Sequence, residues 1–247
     1  VIRTDNGDVR LSGTPIVQID QQRKWLTRLP LALAIALCAV YLVLSMVAAF
    51  AYPGSFEPLH HWLSDLGNRR LNPAGAIWYR TASVAGGILM GATFLALDPW
   101  KPARGSRRLA FEAMEVLGLI AGLGFLMTGI YPEDIDALHR DWSRVIFAAF
   151  IAAAVVSLYG LPRKVSRRVG LDASVAACLV SGSLYGAIGA TWLEWSTVGC
   201  FLCFGLLLGT DVAAMPQAFR GIRREDAGAG AASTLTLRCP RNEVGGG

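Results

Sequence analysis

Apolar residues in this chain come in long unbroken runs, not in alternating or one-faced patterns. Leu31–Tyr52 is nearly free of polar residues. At about 1.5 Å of rise per residue it is long enough for a hydrocarbon core of about 30 Å. Pro73–Leu97, Leu109–Tyr131, Trp142–Leu161 and Leu171–Trp192 repeat the pattern. A sixth run leads from a very short connection around Glu194 to about Met215-Pro216. The pattern predicts an all-α, polytopic membrane protein built as a six-transmembrane-helix bundle. Asn72-Pro73 reads as the N-cap and first-turn pair of the second span, and Asp98-Pro99 as its stop. The first run is too long for a signal h-region and ends at Tyr52-Pro53 without a small-residue cleavage site. It is expected to be retained as a span.

The flanks divide the chain further. Residues 1–28 are polar, carry turn signals at Asn6-Gly7 and Ser12-Gly13-Thr14-Pro15, and close on Arg23, Lys24, Trp25 and Arg28. They read as a loosely ordered cytoplasmic arm, with Trp25 suited to the interfacial aromatic belt. Residues 29–216 form the transmembrane domain. Residues 217–247 are Ala/Gly-rich and polar, a composition that cannot bury a core, and are expected to be a disordered cytoplasmic tail.

Charge sets the expected orientation. Lys101, Arg104, Arg107 and Arg108 follow the second span, and Arg163, Lys164, Arg167 and Arg168 follow the fourth. Arg220, Arg223 and Arg224 follow the sixth. By the positive-inside rule these loops and both termini are cytoplasmic, despite Arg69 and Arg70 on the other side. The loops bearing the histidines, and Glu194, then face outward from the cell's inner (cytoplasmic) membrane.

Composition agrees: 53% of residues are hydrophobic and only 17% charged. The net charge of +5 is spent in clusters beside apolar runs, and no nucleic-acid-binding signature accompanies it. Nucleic acid is therefore excluded as a partner, and membrane lipids are implied. Cys200 and Cys203 have CxxC spacing but lie within a membrane run, where they read as small packing residues. Four spans carry glycines one turn apart: Gly87 with Gly91, Gly118 with Gly122, Gly182 with Gly186, and Gly205 with Gly209. Such pairs let helix backbones approach closely in lipid, within the bundle or against another membrane subunit.

The candidate chemistry lies in two polar stretches. One runs from Glu57 to Gly67 and the other from Gly129 to Asp141, and together they hold all three histidines. The first reads as a short helix with Pro58 in its first turn and Gly67 as its stop. His61 and Asp65 would then share a face, and so would Asp136 and His139 in a helical turn of the second stretch. Folded over the outer mouth, these loops would gather candidate catalytic residues Asp65, Asp134 and His139. The same groups with His61 make a candidate set for a divalent metal, since imidazole and carboxylate suit zinc and its relatives. The competing reading is a structural polar network of solvated caps and ion pairs. The spans carry only Ser, Thr and Tyr at mid-depth, such as Ser45 and Thr93, so an ion-coupled pump is disfavoured.

Ser64-Asp65-Leu66-Gly67, Asn72-Pro73, and Gly129-Ile130-Tyr131-Pro132 with Asp134 and His139 resemble a bacterial and archaeal six-helix family. That family is called domain of unknown function 998 and is distantly similar to the DRAM/Sfk-type membrane proteins of eukaryotes. The resemblance covers about residues 30–215. It implies a six-span bundle with shared polar residues at Ser64, Asp65, Asn72, Asp134 and His139, and no established reaction. His60, His61 and Glu194 fall outside the pattern. Two functions stay open at this point. One is a structural or accessory subunit of a larger membrane assembly, packing through its glycine faces and binding no pigment of its own. The alternative is a hydrolase that uses the outer His/Asp cluster on a lipid-linked substrate.

Overall fold

The computed structural model describes the secondary structure of residues 2–3, 9–10, 16–161 and 168–214. Side chains are described from residue 27 within those ranges, except at 136, 168–171, 185 and 186. The expected tail at 217–247 and most of the basic loop after the fourth run lie outside the described residues.

The apolar runs form six helices: α1 (Ile16–Phe50), α2 (Ala76–Leu95), α3 (Ser106–Ile130), α4 (Asp136–Gly160), α5 (Arg168–Ile188) and α6 (Thr191–Ala213). A minimal antiparallel pair, Ile2–Arg3 with Val9–Arg10, precedes them. Helix α1 begins at Ile16, inside the stretch expected to be a loose arm; Pro15 stands just before its first turn. Helix α2 begins three residues later than Asn72-Pro73 suggests, because Asn72 turns its side chain to other work.

Five of these helices have described stretches long and apolar enough to cross a membrane: Thr27–Phe50, Ala76–Trp100, Ser106–Ile130, Ala137–Gly160 and Thr191–Ala213. In α5 the described apolar stretch is shorter, Asp172–Leu184. Ile35, Val43, Met46, Ile77, Ile88 and Val180 are all more than half exposed. Large apolar side chains exposed along several helices are stable against lipid, not against water. The chain is a multi-pass membrane protein.

Each helix packs on the next in sequence, and α6 returns to α1, which closes the ring. Its centre is aromatic. Phe150 of α4 stacks on Phe201 of α6 at 4.1 Å between centroids and meets Phe204 edge-on at 5.5 Å. Phe94 of α2 approaches the same ring at 6.3 Å. Edge-to-face and offset pairs of this kind add to the burial energy of the rings. Two buried hydroxyls in the spans turn back on their own helices: Ser83 donates to Tyr79 O at 3.1 Å and Thr197 to Leu193 O at 2.7 Å. Such bonds satisfy a hydroxyl that has no water to turn to.

Glycines set the closest approach. A Cβ on Gly87 would meet the backbone of Leu126 and lie 2.5 Å from Gly122 O, and one on Gly122 would lie 2.8 Å from Gly87 O. Gly118 seats the Phe94 ring, Gly182 faces Ile151, and Gly209 lies against the Leu31 backbone. Gly91 keeps an ordinary 3.5 Å from Leu119, while Gly205 meets nothing within 4 Å. The side-chain surroundings of Gly186 lie outside the described residues.

At the end where α2 gives way to α3, Lys101 ties the connection down. Its Nζ lies 2.8 Å from both Asp98 Oδ1 and Glu115 Oε2. The hydrogen bond to Asp98, then that to Glu115, raises the lysine pKa. Lys101→Ala is expected to lower stability by roughly 1–2 kcal/mol, because Glu115 keeps its partial burial and loses this cation. Unfolding followed in detergent measures it. Asp98→Ala should cost less, since that carboxylate is mostly solvated.

Candidate functional site

The opposite end of the ring is closed by the chain between α1 and α2. No regular helix spans Pro58–Gly67. Turns lead instead into a single 3-10 turn, Ser64–Gly67, all of it buried. Leu63 and Leu66 drive this: they are 2% and 0% exposed, while Leu59 is 71% exposed. Asp65 Oδ2 accepts the Trp62 amide at 2.9 Å, so its carboxylate caps its own turn.

Asn72 locks this cap to the ring. Fully buried, it donates through Nδ2 to Ala48 O of α1 and to Leu66 O, both at 3.0 Å. Its Oδ1 accepts the Gly75 amide at 3.0 Å, just before α2. One amide side chain thereby joins three segments.

The second expected loop does meet the first. Asn68 Nδ2 donates to Glu133 Oε2 at 3.3 Å, Arg69 Nε lies 3.4 Å from Asp134 Oδ2, and Glu133 shares a hydrogen bond with Asp65. Arg80 of α2 donates through Nε to Gly129 O at 3.0 Å, which fixes the end of α3 under the cap.

Glu194 is the residue the sequence reading placed in a connection. The connection is only Gly189-Ala190, and Gly189 has a φ of 65°, which suits glycine. Glu194 therefore falls in the first turn of α6 and is 8% exposed. Its Oε2 accepts the Leu63 amide at 2.8 Å, and the Ser64 amide and hydroxyl also bond to the carboxylate. A carboxylate near a helix N-terminus is in a favourable field. Around it, Thr191 Oγ1 donates to Leu59 O at 2.7 Å and Trp195 Nε1 to His61 O at 3.2 Å. The cap is thus held down by α6 as well as by Asn72.

Beneath Glu194 lies a cavity of about 50 Å³ at the centre of the ring. Its polar lining comes from Tyr41, Tyr79, Thr128, His139, Ser143 and Glu194. The Tyr41 and Tyr79 hydroxyls, both buried, bond to each other at 3.1 Å. His139 lies in the first turns of α4 and is 8% exposed. It donates through Nδ1 to Tyr131 O at 2.9 Å, which sets its tautomer.

The candidate residues are thus divided. His139 lines the cavity. Asp65 belongs to the cap and pairs with Glu133, Asp134 pairs with Arg69, and His61 accepts the Glu57 amide at 3.1 Å and stacks on Phe56 at 5.2 Å. Among the described residues no three His, Cys, Asp or Glu side chains are gathered to hold a metal. The expected joining of His61, Asp65, Asp134 and His139 in one set gives way to this arrangement, because each already has a local partner. Of the polar lining, Tyr41, Tyr79, Thr128, Ser143 and Glu194 were not among the candidates that the sequence offered.

Glu133 carries a strong electrostatic consequence. Burial first, then the hydrogen bond and charge of Asp65, push its pKa from 4.5 up to about 8, against the opposing bond from Asn68. Glu194 adds to the rise. Between those values the folded protein holds a proton that the unfolded chain has released. Its contribution to stability is complete below pH 4.5 and is lost as pH rises through 8. Wild-type stability is expected to fall by on the order of 1–2 kcal/mol across that window, discounted for the partial exposure of Glu133. Glu133→Gln, which can still donate to Asp65, should remove this part of the slope. Unfolding midpoints at pH 5, 6.5 and 8 compare the two proteins.

Among known proteins, residues 31–219 match the family model described as protein of unknown function (DUF998). No curated protein and no solved structure matches the chain.

Proposed function

The chain belongs to the DUF998 family, whose description assigns no activity, and we propose from the geometry that it binds a small polar group beneath its cap. In this reading it crosses the cytoplasmic membrane six times with both termini inside, and the capped end faces outward. The basic clusters after the second, fourth and sixth runs support that orientation. The observation that carries the binding reading is Glu194. A buried carboxylate is held by the cap on one side and lines a central cavity on the other. Buried ionisable groups within membrane bundles are costly and mark sites of function.

An accessory, partner-packing role has a narrower footing. Several of the glycines that suggested it are occupied by neighbouring helices of the same chain. Gly199 and Gly205 on α6 remain open, with nothing within 4 Å of an added Cβ. The hydrolase alternative asks for converging ligands or a nucleophile beside a base, and its candidates Asp65, Asp134 and His139 have separate partners.

A cysteine at Thr128, on the cavity wall, tests the reading. The background replaces all five native cysteines with serine. Right-side-out vesicles loaded with free cysteine are treated from outside with 2-aminoethyl methanethiosulfonate. Labelling of Thr128→Cys, but not of a cysteine at the lipid-facing Val180, is expected. A position 128 that reacts only after solubilisation would count against an outward-opening site.

A further inference from the structure

The described cavity wall holds one carboxylate, Glu194, and one imidazole, His139, with no Lys or Arg. Besides Glu194 it presents the aromatic side chains of Tyr41, Tyr79, Phe125, Phe147 and Phe201. The partners of the Glu194 carboxylate at the cap are neutral: the Leu63 and Ser64 amides and the Ser64 hydroxyl. Asp65 lies close enough to add negative potential. With Glu194 in the wall and Asp65 behind it, the site disfavours an anion. The Tyr41 and Tyr79 hydroxyls satisfy each other, so Glu194 is the charged group that a ligand here would answer.

Five aromatic rings line the same cavity as the Glu194 carboxylate, and ammonium groups are recognised by such pairings of ring and acid. The ring quadrupoles attract the cation and the acid supplies the opposite charge. Size narrows the choice. A cavity of about 50 Å³ is room for a compact group of a few non-hydrogen atoms and not for a bulky one. We infer that the cavity is a site for a small alkylammonium group, held by Glu194 among these rings. The group comes either from a free amine or from an amine-bearing lipid headgroup. This inference rests on the binding function proposed above and names its ligand class.

The test titrates ethylammonium chloride into the detergent-purified full chain and follows the thermal midpoint. A saturable rise beyond that given by sodium chloride is expected, with no such rise from tetrapropylammonium, which exceeds the cavity. Glu194→Gln keeps an acceptor for the Leu63 amide, and its apparent affinity should be at least tenfold weaker. Ser143→Met, which fills the cavity without touching the cap, should abolish the response. Tyr79→Phe keeps the ring and should preserve it. A wild type that responds to ethylammonium no more than to sodium overturns the inference, as does an unchanged response in both Glu194→Gln and Ser143→Met. Native mass spectrometry from nanodiscs distinguishes the sources. Phosphatidylethanolamine retained by the wild type and lost in Ser143→Met marks the headgroup, and equal loss from both marks the free amine. If Thr128→Cys is labelled from outside but ethylammonium has no effect, the ligand class falls and the outward-opening site stands. If position 128 is not labelled but ethylammonium raises the midpoint saturably, the outward opening falls and the ligand class stands; if neither is seen, both fall.

Discussion

Asn72→Ala is expected to destabilise the protein by about 3 kcal/mol, the larger of two effects that follow from the packing of the bundle. Three hydrogen bonds disappear together: Nδ2 to Ala48 O, Nδ2 to Leu66 O, and the Gly75 amide to Oδ1. Each is worth about 1 kcal/mol net, and a partner left buried without a replacement costs more. No solvent reaches the site, since Asn72 is 0% exposed. Asn72→Asp separates the contributions. It keeps the acceptor for Gly75, removes both donors and buries a charge, so it should be at least as damaging as alanine. Unfolding by denaturing detergent, followed by helical ellipticity, reads both variants. A loss under 1 kcal/mol in Asn72→Ala would mean that this amide does not join α1, the cap and α2.

Gly87→Ala should come close behind, at about 2–3 kcal/mol, within the range for overpacking a tight interior. The added methyl would press on backbone atoms of α3, at Leu126 and at Gly122 O, so no side chain can swing away. The two helices would have to part along their whole contact, disturbing Gly91 and Gly122 as well. Gly205→Ala is the control with the opposite expected sign. That position is open, and alanine favours the helix over glycine by up to about 1 kcal/mol. Equal effects at the two positions would contradict the packing described for α2 and α3.

The helices were legible in the sequence because lipid demands long apolar runs and gives them few interruptions. Their ends were harder to read. Asn72-Pro73 has the form of a helix start, but the Asn72 side chain is drawn to carbonyls of α1 and the cap, and α2 waits until Ala76. The cap was expected as a short helix from Pro58 to Gly67; burial of Leu63 and Leu66, with a self-capping Asp65, leaves only one turn. Asp65, Asp134 and His139 were noticed because polar residues stand out between apolar runs. Whether they meet depends on partners far away in sequence, which no local pattern encodes.

Glu194 was read as a loop acid because the pause between the last two runs is so short. Its neighbours carried a usable signal: Leu193 and Trp195 bracket it, and an acid between large apolar residues at a helix start is a candidate for burial. Tyr41 carried another. A phenol deep within an apolar run needs a hydrogen-bond partner, and here Tyr79 supplies it across the α1–α2 contact.

The measurement that tests the account most directly is the rate at which Thr128→Cys reacts with 2-aminoethyl methanethiosulfonate added outside, with and without ethylammonium. The account predicts labelling from outside that ethylammonium slows at least tenfold, and that is no longer slowed in the Thr128→Cys, Glu194→Gln double variant. Labelling at the same rate with and without ethylammonium, or none until the membrane is dissolved, would contradict a cation site beneath an outward-facing cap.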